Sequence, residues 1–591
     1  MKHDDEIRGR FLDLALLRRF VPLLRPYRRG AITGFALLPA ISLVRTLEPL
    51  CLQRAIDNSL LPGRLDLLWP IAALLIALLL AEAVLVFSQS WCVQVVGQRV
   101  MADLRRDSFA KLSRLPQRWF DWQPSGRLVT RLTNDVEQVG DLFGSGIVSA
   151  FGDVLTMVLV LSVMLSLHVG LTLVAFAVAP LLLGVLLLLR RPMRSLMRRL
   201  RAQTAGLNGF VGERVNGMAE VQIFGQEQSS AEQFEALQQD YLSAALSWVR
   251  WETLFYASVH LFGSLAVAAI IWQGGAQVLG SHISFGTLVA FIEYARKFFM
   301  PLTELAAKFS VLQTSNAALE RIFALLDERE EAAGMLSLPS GPGRVAFEAV
   351  HFAYQPSEPV VRGLSLEVAG GECVALVGET GCGKTTLAQL LLGFYRPDSG
   401  RVLVNGIEVQ QLTRESLSAQ LGWVAQEPFL FHGSIRQNLD ADGRYRNDQL
   451  WAALERSGAR TLVERLGGLD VAAIDSRGRN LSSGERQLLS LARALVKQPQ
   501  VLILDEATSH LDSDSERRIY QALQGLSGQC TRLLIIHHLA LAARLADRIL
   551  VLHRGQLCEQ GSHQQLLAQG GRYARLWAIQ TLQQDREKGN A

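Results

Sequence analysis

Six cysteines in 591 residues, with no C-x-x-C spacing among them, give no basis for a disulfide framework or a zinc site. Cys51, Cys92, Cys373, Cys382, Cys530 and Cys558 therefore read as reduced thiols. A charge surplus is also lacking: 59 basic against 55 acidic side chains leave a formal net charge of +4. That balance argues against a broad basic face, and no nucleic-acid partner is expected. The first residues hold no short apolar core followed by a small-residue cleavage site, so no removable signal peptide is expected. Insertion into a membrane would rest on the first long apolar run. Hydrophobic residues, by contrast, make up 49% of the chain and concentrate in its first half. A chain of this length exceeds what one core serves, so at least two units are expected.

About 20 helical residues, rising ~1.5 Å each, cross a hydrocarbon layer of ~30 Å. Six segments reach that length. Residues 171–189 carry no charge, 67–87 carry only Glu82, 143–166 only Asp153, and 255–272 none, although His260 lies inside. Two weaker candidates complete the set: 31–53, with Arg45 and Glu48, and 284–310, with Glu293, Arg296, Lys297, Glu304 and Lys308. Such intramembrane charges are candidates for lining a substrate path, because burial without a partner is costly. Arginine clusters precede the first span and follow the second and fourth, while the loops 59–66, 167–170 and 274–283 are short and nearly neutral. Lys and Arg accumulate on the cytoplasmic side, so both termini are expected there. Residues 11–24 form an amphipathic stretch that either lies against membrane lipids or is a solvated helix. The polar stretches 100–138 and 190–247 have helical patterning and read as extensions of the membrane helices into the cytoplasm. The resulting division is 1–30 amphipathic segment, 31–325 transmembrane domain with six spans, 326–344 linker, 345–580 second domain and 581–591 polar tail.

The second half carries the chemistry. An apolar run at 373–377 leads into Gly378-Glu-Thr-Gly-Cys-Gly-Lys-Thr385, and a helix is expected from Lys384. Strand, glycine loop and helix start together give G-x-x-x-x-G-K-[ST] its mechanism. Backbone N–H groups of Gly378, Glu379, Thr380, Gly381, Cys382 and Gly383 can cradle phosphates, aided by the partial positive charge of the helix start. Lys384 would reach the β- and γ-phosphates of ATP, the Thr385 hydroxyl would bind Mg²⁺, and Thr386 would add a phosphate contact. Cys382 lies inside the loop, so small thiol reagents are expected to block ATP binding there. A second apolar run, Val501-Leu-Ile-Leu504, ends in Asp505 and Glu506 at the carboxyl end of an expected sheet, where α/β proteins bind ligands. Asp505 would hold Mg²⁺. Ahead of it, Leu481-Ser-Ser-Gly-Glu485 places Ser482 and Gly484 at a helix start, where hydroxyl and N–H groups present donors to an anion.

The order of phosphate loop, LSSGE and strand-Asp-Glu resembles the ATP-binding cassette (ABC) ATPases over about 240 residues from Val345, and the apolar half resembles the membrane domain of that family's exporters. The resemblance implies a multi-domain fold: an all-α six-helix transmembrane domain with long cytoplasmic extensions, then an α/β P-loop ATPase. It implies that Glu506 polarises the attacking water and His537 bonds the γ-phosphate. By the same resemblance Gln426 contacts Mg²⁺ and water, Asp512 in Ser509-His-Leu-Asp512 bridges to the opposite subunit, and Tyr354 stacks on adenine, with an edge-strand core position as the competing reading for Tyr354. Ser482 and Gly484 would complete the ATP site of a second subunit, so the chain resembles a half-transporter. Two positions depart from the usual LSGGQ: Ser483 and Glu485. A carboxylate at 485 is electrostatically unfavourable beside another molecule's triphosphate. Within the family, 549–556 and 560–567 are most similar to B subunits of bacterial multidrug-resistance-like (Mdl-type) heterodimers, which would place the chain in a bacterial inner membrane. A homodimer stays open. Segments 120–135 and 213–225 resemble the coupling loops of exporters. The implied substrate is a hydrophobic or amphipathic compound, drug-like or lipid-like; a lipid or peptide translocator and a membrane-anchored cassette ATPase without transport are the alternatives.

Overall fold

The computed structural model describes residues 14–331, 334–471, 473–505 and 513–589. They fall into two units: Met1–Ser113 with Ser125–Glu328, and Arg114–Pro124 with Arg329–Ala591.

The first unit is helical. Its long helices are α1 (Arg28–Ala55), α2 (Leu65–Leu112), α3 (Val148–Leu167), α4 (Ala179–Asn216), α5 (Glu227–Leu279) and α6 (Phe285–Asp327). Among the described residues five stretches are long and apolar enough to cross a membrane: Arg18–Leu60, Asp66–Leu112, Val148–Leu167, Val169–Asn216 and Glu227–Leu279. They contain the expected spans 31–53, 67–87, 171–189 and 255–272 whole, and the expected span 143–166 from Val148 onward, its first residues lying in a separate turn of π-helix, Leu142–Ile147. The sixth, 284–310, is an unbroken part of α6, but its charges set it apart from the other five. Those charges find partners instead: Lys297 pairs with Glu48, Lys308 with Asp153 and Glu304, and Arg296 with Glu293. With 48 residues, α2 is ~72 Å long, more than twice a hydrocarbon core, so its polar end must continue outside. The stretch 190–247 is likewise helical but not continuous. It turns at Gly217, a short helix Met218–Ile223, and Gly225, whose φ of 60° glycine adopts without strain.

Residues 11–13 of the amphipathic segment lie outside the described residues. The rest forms a helix, Leu14–Phe20, and a 3₁₀ turn, Val21–Tyr27. Phe20 is buried, and Arg19 makes two hydrogen bonds of 2.8 and 2.7 Å to Asp327 at the end of α6. Val136, Val139 and Leu142 pack with Leu319 and Ile322 of α6 in one core, while Met164, Leu171 and Ile270 pack with Phe291 and Tyr294 in another.

The second unit is α/β. Its strands are β1 (Val345–Ala353), β2 (Pro359–Val368), β3 (Cys373–Gly378), β4 (Ser399–Val404), β5 (Ile407–Glu408), β6 (Leu421–Val424), β7 (Val501–Asp505), β8 (Thr531–Ile535), β9 (Arg548–His553) and β10 (Gln556–Gly561). The antiparallel sheet has the order β2-β1-β4-β5, and the larger sheet the order β10-β9-β3-β8-β7-β6. In the larger sheet every pairing but β10 with β9 is parallel. Parallel strands covered on both faces read as unbroken apolar runs, and every residue of Val501–Asp505 is buried. Leu502 and Leu504 face a core with the helix α8 (Ser483–Val496), and Val501 and Ile503 face a second core containing β1 and the helix α7 (Lys384–Leu391). Because β3, β6, β7 and β8 run parallel as neighbours, their carboxyl ends lie along one edge of the sheet.

Candidate active site

The glycine loop joins β3 to α7 and closes tightly on itself. Gly383 precedes α7 with φ 104°, a conformation costly for any residue with a Cβ. A Cβ at Gly378 would collide with the Leu552 carbonyl and with Cys382 Sγ. The Lys384 side chain is buried and arches over the loop, its Nζ donating to the carbonyls of Gly378 (2.8 Å) and Glu379 (3.1 Å). That puts the ammonium among the backbone groups of the loop, at the start of a helix. Thr385 and Thr386 follow in the first turn of α7.

Asp505 ends β7 and is buried. Its Oδ1 accepts a 3.2 Å hydrogen bond from Thr385 Oγ1, joining two strand ends that β8 separates. Both groups are hard oxygen donors of the kind Mg²⁺ takes, so their pairing fits that ion. Glu506 and Ser509 to Asp512 lie outside the described residues. Gln426 follows β6, and its carbonyl is 3.5 Å from Gln487 Nε2 of α8. His537 follows β8, and its carbonyl accepts from Gln580 Nε2 at 2.5 Å. The topology thus brings the loop, Gln426, Asp505 and His537 to one edge of one sheet.

Tyr354 follows β1 and turns inward. Its hydroxyl donates to Gln389 Oε1 (2.5 Å) and lies 3.2 Å from Thr386 Oγ1. Its ring stands edge-on to Phe352 and Tyr395, with centroids 5.0 and 5.2 Å apart. Burial pushes its hydroxyl above the ordinary phenol range. The half-buried side chain packs against the core next to the first turn of α7, and β1 is an interior strand of its sheet, not an edge strand.

The thiol of Cys382 differs from the expectation of an accessible target. It is 5% exposed and packs with Leu387 and Val361 in the core beneath the loop. Burial raises its pKa against the pull of Lys384, and thiolate is the reactive form. The loop has to open before a reagent reaches this sulfur.

Ser482 and Gly484 stand at the start of α8. The Ser482 side chain accepts from the Glu485 N–H, and Glu485 Oε2 accepts from the Ser482 N–H at 2.9 Å, a complete capping box. Arg465 forms an ion pair with the same carboxylate. Burial works to raise the Glu485 pKa, but the Ser482 donors and Arg465 outweigh it and hold the carboxyl below its ordinary value. The expected electrostatic penalty at 485 is therefore offset within the chain: the carboxylate is turned back on its own helix start and neutralised. Nothing near 485 in sequence announces Arg465, which arrives from 20 residues away.

Residues 114–124 hold two more contacts that sequence reasoning missed. Asp121 accepts a 2.6 Å hydrogen bond from Tyr395 Oη, and Arg118 Nη2 donates to the Tyr354 carbonyl at 3.3 Å. Separations of 274 and 236 residues leave no local signal for either.

A phosphate-loop ATPase on the same chain as a bundle of membrane-crossing helices is the class these units define. Residues 32–302 match the family described as ABC transporter transmembrane region, and 361–509 match the family described as ABC transporter. The chain is 37% identical over 504 residues to the fatty acid ABC transporter ATP-binding/permease protein of Mycobacterium bovis, covering 85% of this chain and 80% of that one. It is 33% identical over 573 residues to the ATP-dependent lipid A-core flippase of Nitrosococcus oceani, covering 96% of each. The structure of a bacterial Atm1-family ABC exporter with ATP bound is similar at a TM-score of 0.77 and 27% identity, covering 94% of this chain and 98% of that chain. The chain belongs to the ABC transporters, with an exporter-type membrane domain and an ATPase that couples ATP hydrolysis to transport.

Proposed function

We propose that this chain is a half-transporter that dimerises and uses ATP to move hydrophobic or amphipathic compounds, lipid-like or drug-like, outward across a bacterial inner membrane. The observation that carries the reading is the buried Lys384 and the Thr385–Asp505 pair, at the edge of a parallel sheet, in a chain with five apolar spans and a sixth charged helix. In this reading the loop 378–383 and Lys384 bind the phosphates, Thr386 adds a contact, and Thr385, Asp505 and Gln426 hold Mg²⁺. Bound there, Mg²⁺ would neutralise charge on the β- and γ-phosphates. Glu506 orients the attacking water and His537 bonds the γ-phosphate. Adenine stacks on the half-buried ring of Tyr354.

Ser482 and Gly484 offer their donors to the ATP of a second chain, so two chains are required. A heterodimer is favoured over a homodimer, on the LSSGE departure and the Mdl-like segments. The basic clusters beside the spans support cytoplasmic termini, and the segment division is read as 1–30, 31–325, 326–344, 345–580 and 581–591, with 114–124 grouped with the ATPase unit. A lipid-translocating role has specific support in the names of the flippase and the fatty acid transporter.

Inside-out vesicles holding this chain, alone and with a candidate partner, should take up a fluorescent amphiphile on ATP addition. Lys384→Ala or Glu506→Gln should abolish uptake. Uptake that persists in both variants would remove these residues from the mechanism, and full ATP turnover by the chain alone would remove the need for a heterodimer.

A further inference from the structure

The membrane unit has an open cleft of about 540 Å³, within the ~300–1,000 Å³ typical of small-ligand sites. Part of its wall is apolar, with Leu38, Ile41, Val86 and Met300. The rest holds three ion pairs that tie helices together. Arg45 Nε meets Glu82 Oε1 at 2.7 Å, joining α1 to α2. Lys297 pairs with Glu48 and donates to the Arg45 carbonyl at 2.9 Å, joining α6 to α1. Lys308 pairs with Asp153, joining α6 to α3, and also reaches Glu304 at 3.0 Å. Lys297 lies ~18 Å along α6 from Phe285, about the middle of a hydrocarbon core, and Glu304 lies ~29 Å along it, near the far end of that core.

The chemistry of this lining discriminates among ligands. An uncharged hydrocarbon gains nothing from ionised groups that are costly to keep at this depth. An anionic head meets three cations that each already hold a carboxylate. It also meets a surplus: the lining has four carboxylates, Glu48, Glu82, Asp153 and Glu304, against three cations. The surplus is Glu304, which shares Lys308 with the deeper Asp153 and keeps 51% of its side chain exposed, whereas Asp153 keeps 14%. An incoming ammonium can therefore pair with Glu304 without breaking an interhelical pair, since its present partner Lys308 lies on the same helix.

We infer that the cleft selects an amphiphile whose head group carries an ammonium, cationic or zwitterionic, with Glu304 as its counter-ion and the apolar wall taking the chain. This rests on the export reading above and deepens it.

The test compares three probes of equal chain length on the full-length protein in neutral maltoside micelles: hexadecyltrimethylammonium, palmitoyl lysophosphatidylcholine and palmitate. By displacement of the radiolabelled ammonium probe, both ammonium-bearing compounds should bind at least ~10-fold more tightly than palmitate. Glu304→Gln should narrow that gap to roughly 3-fold. Palmitate binding as tightly as the others overturns the proposal, and the ranking in the unaltered chain decides it even where the variant does not fold. ATP-dependent uptake by vesicles separates the two readings. The predicted ranking without transport of any probe sinks export and leaves the site, whereas transport of palmitate alone sinks the site and leaves export.

Discussion

At the scale of single residues, the structure assigns to packing and pairing two features that look functional in isolation. Cys382 sits in a phosphate loop but is turned into the core, with burial holding its thiol protonated. Alkylation at neutral pH should therefore mark the exposed Cys558 well before Cys382. The Cys382 rate should climb as pH rises past the usual thiol range near ~8.5. Peptide mass spectrometry over a pH series checks this, and equal rates at the two cysteines would contradict the packing. Glu485 carries the opposite shift. A carboxyl held below its ordinary value stabilises the fold above its unfolded pKa and loses that contribution as pH falls through the folded value. Glu485→Gln keeps the capping box, since either side chain can accept from the Ser482 N–H. Its cost should thus be the charge assistance to the Ser482 donors and the pair with Arg465, together ~0–1 kcal/mol with a largely exposed partner. That cost should be present at pH 7 and vanish on acidification below the ordinary glutamate pKa of ~4.3. Thermal unfolding of both forms at several pH values measures it, and a difference that grows on acidification would refute the assignment.

At the scale of elements, β7 decides the site because it is both core strand and ligand edge. Leu502 and Ile503 are fully buried on opposite faces, and Asp505 ends the same five residues. Leu502→Ala should cost ~2–5 kcal/mol, since the removed atoms leave a cavity the two layers cannot close. A lowered unfolding temperature of the ATPase unit, together with weakened nucleotide binding through a shifted Asp505, is the expected outcome in calorimetry and binding titration. Unchanged values for both would mean that β7 is not the element that positions Asp505. This strand was legible in sequence because a parallel strand buried on two faces is an apolar run of fixed length. The same was true of the glycine loop and the first five spans. The sixth span was harder to read, because α6 offsets its intramembrane charges with partners on α1 and α3, 249 and 155 residues away respectively.

At the scale of the whole molecule, the segment Arg114–Pro124 belongs to the ATPase unit although both flanking stretches belong to the membrane unit. Tyr395 holds it through Asp121, and the ring of Tyr395 in turn touches Tyr354 beside α7. A change around Tyr354 can therefore be felt by the chain that continues from α2. Tyr395→Phe removes one hydrogen bond and keeps the rings. It should reduce the ratio of substrate-stimulated to basal ATP turnover by ~2–10-fold, the scale of one typical net hydrogen bond of ~0.5–1.5 kcal/mol. A colorimetric phosphate assay with and without transported compound reads that ratio, and an unchanged ratio would rule out this link.

The amino-acid sequence alone determined the division into an apolar helical half and a phosphate-loop half, the span lengths, and the residues of the loop. Those features follow from local periodicity, from chain length against membrane thickness, and from backbone rules that act within a few residues. The tertiary structure decided which charges are neutralised. It paired Glu485 with Arg465, buried the Cys382 thiol, drew Tyr354 inward and set Glu304 beside an already occupied Lys308. Charge and burial depend on neighbours in space, and Arg465, Gln389 and Asp153 come to Glu485, Tyr354 and Lys308 from other elements of the chain, beyond the reach of local periodicity.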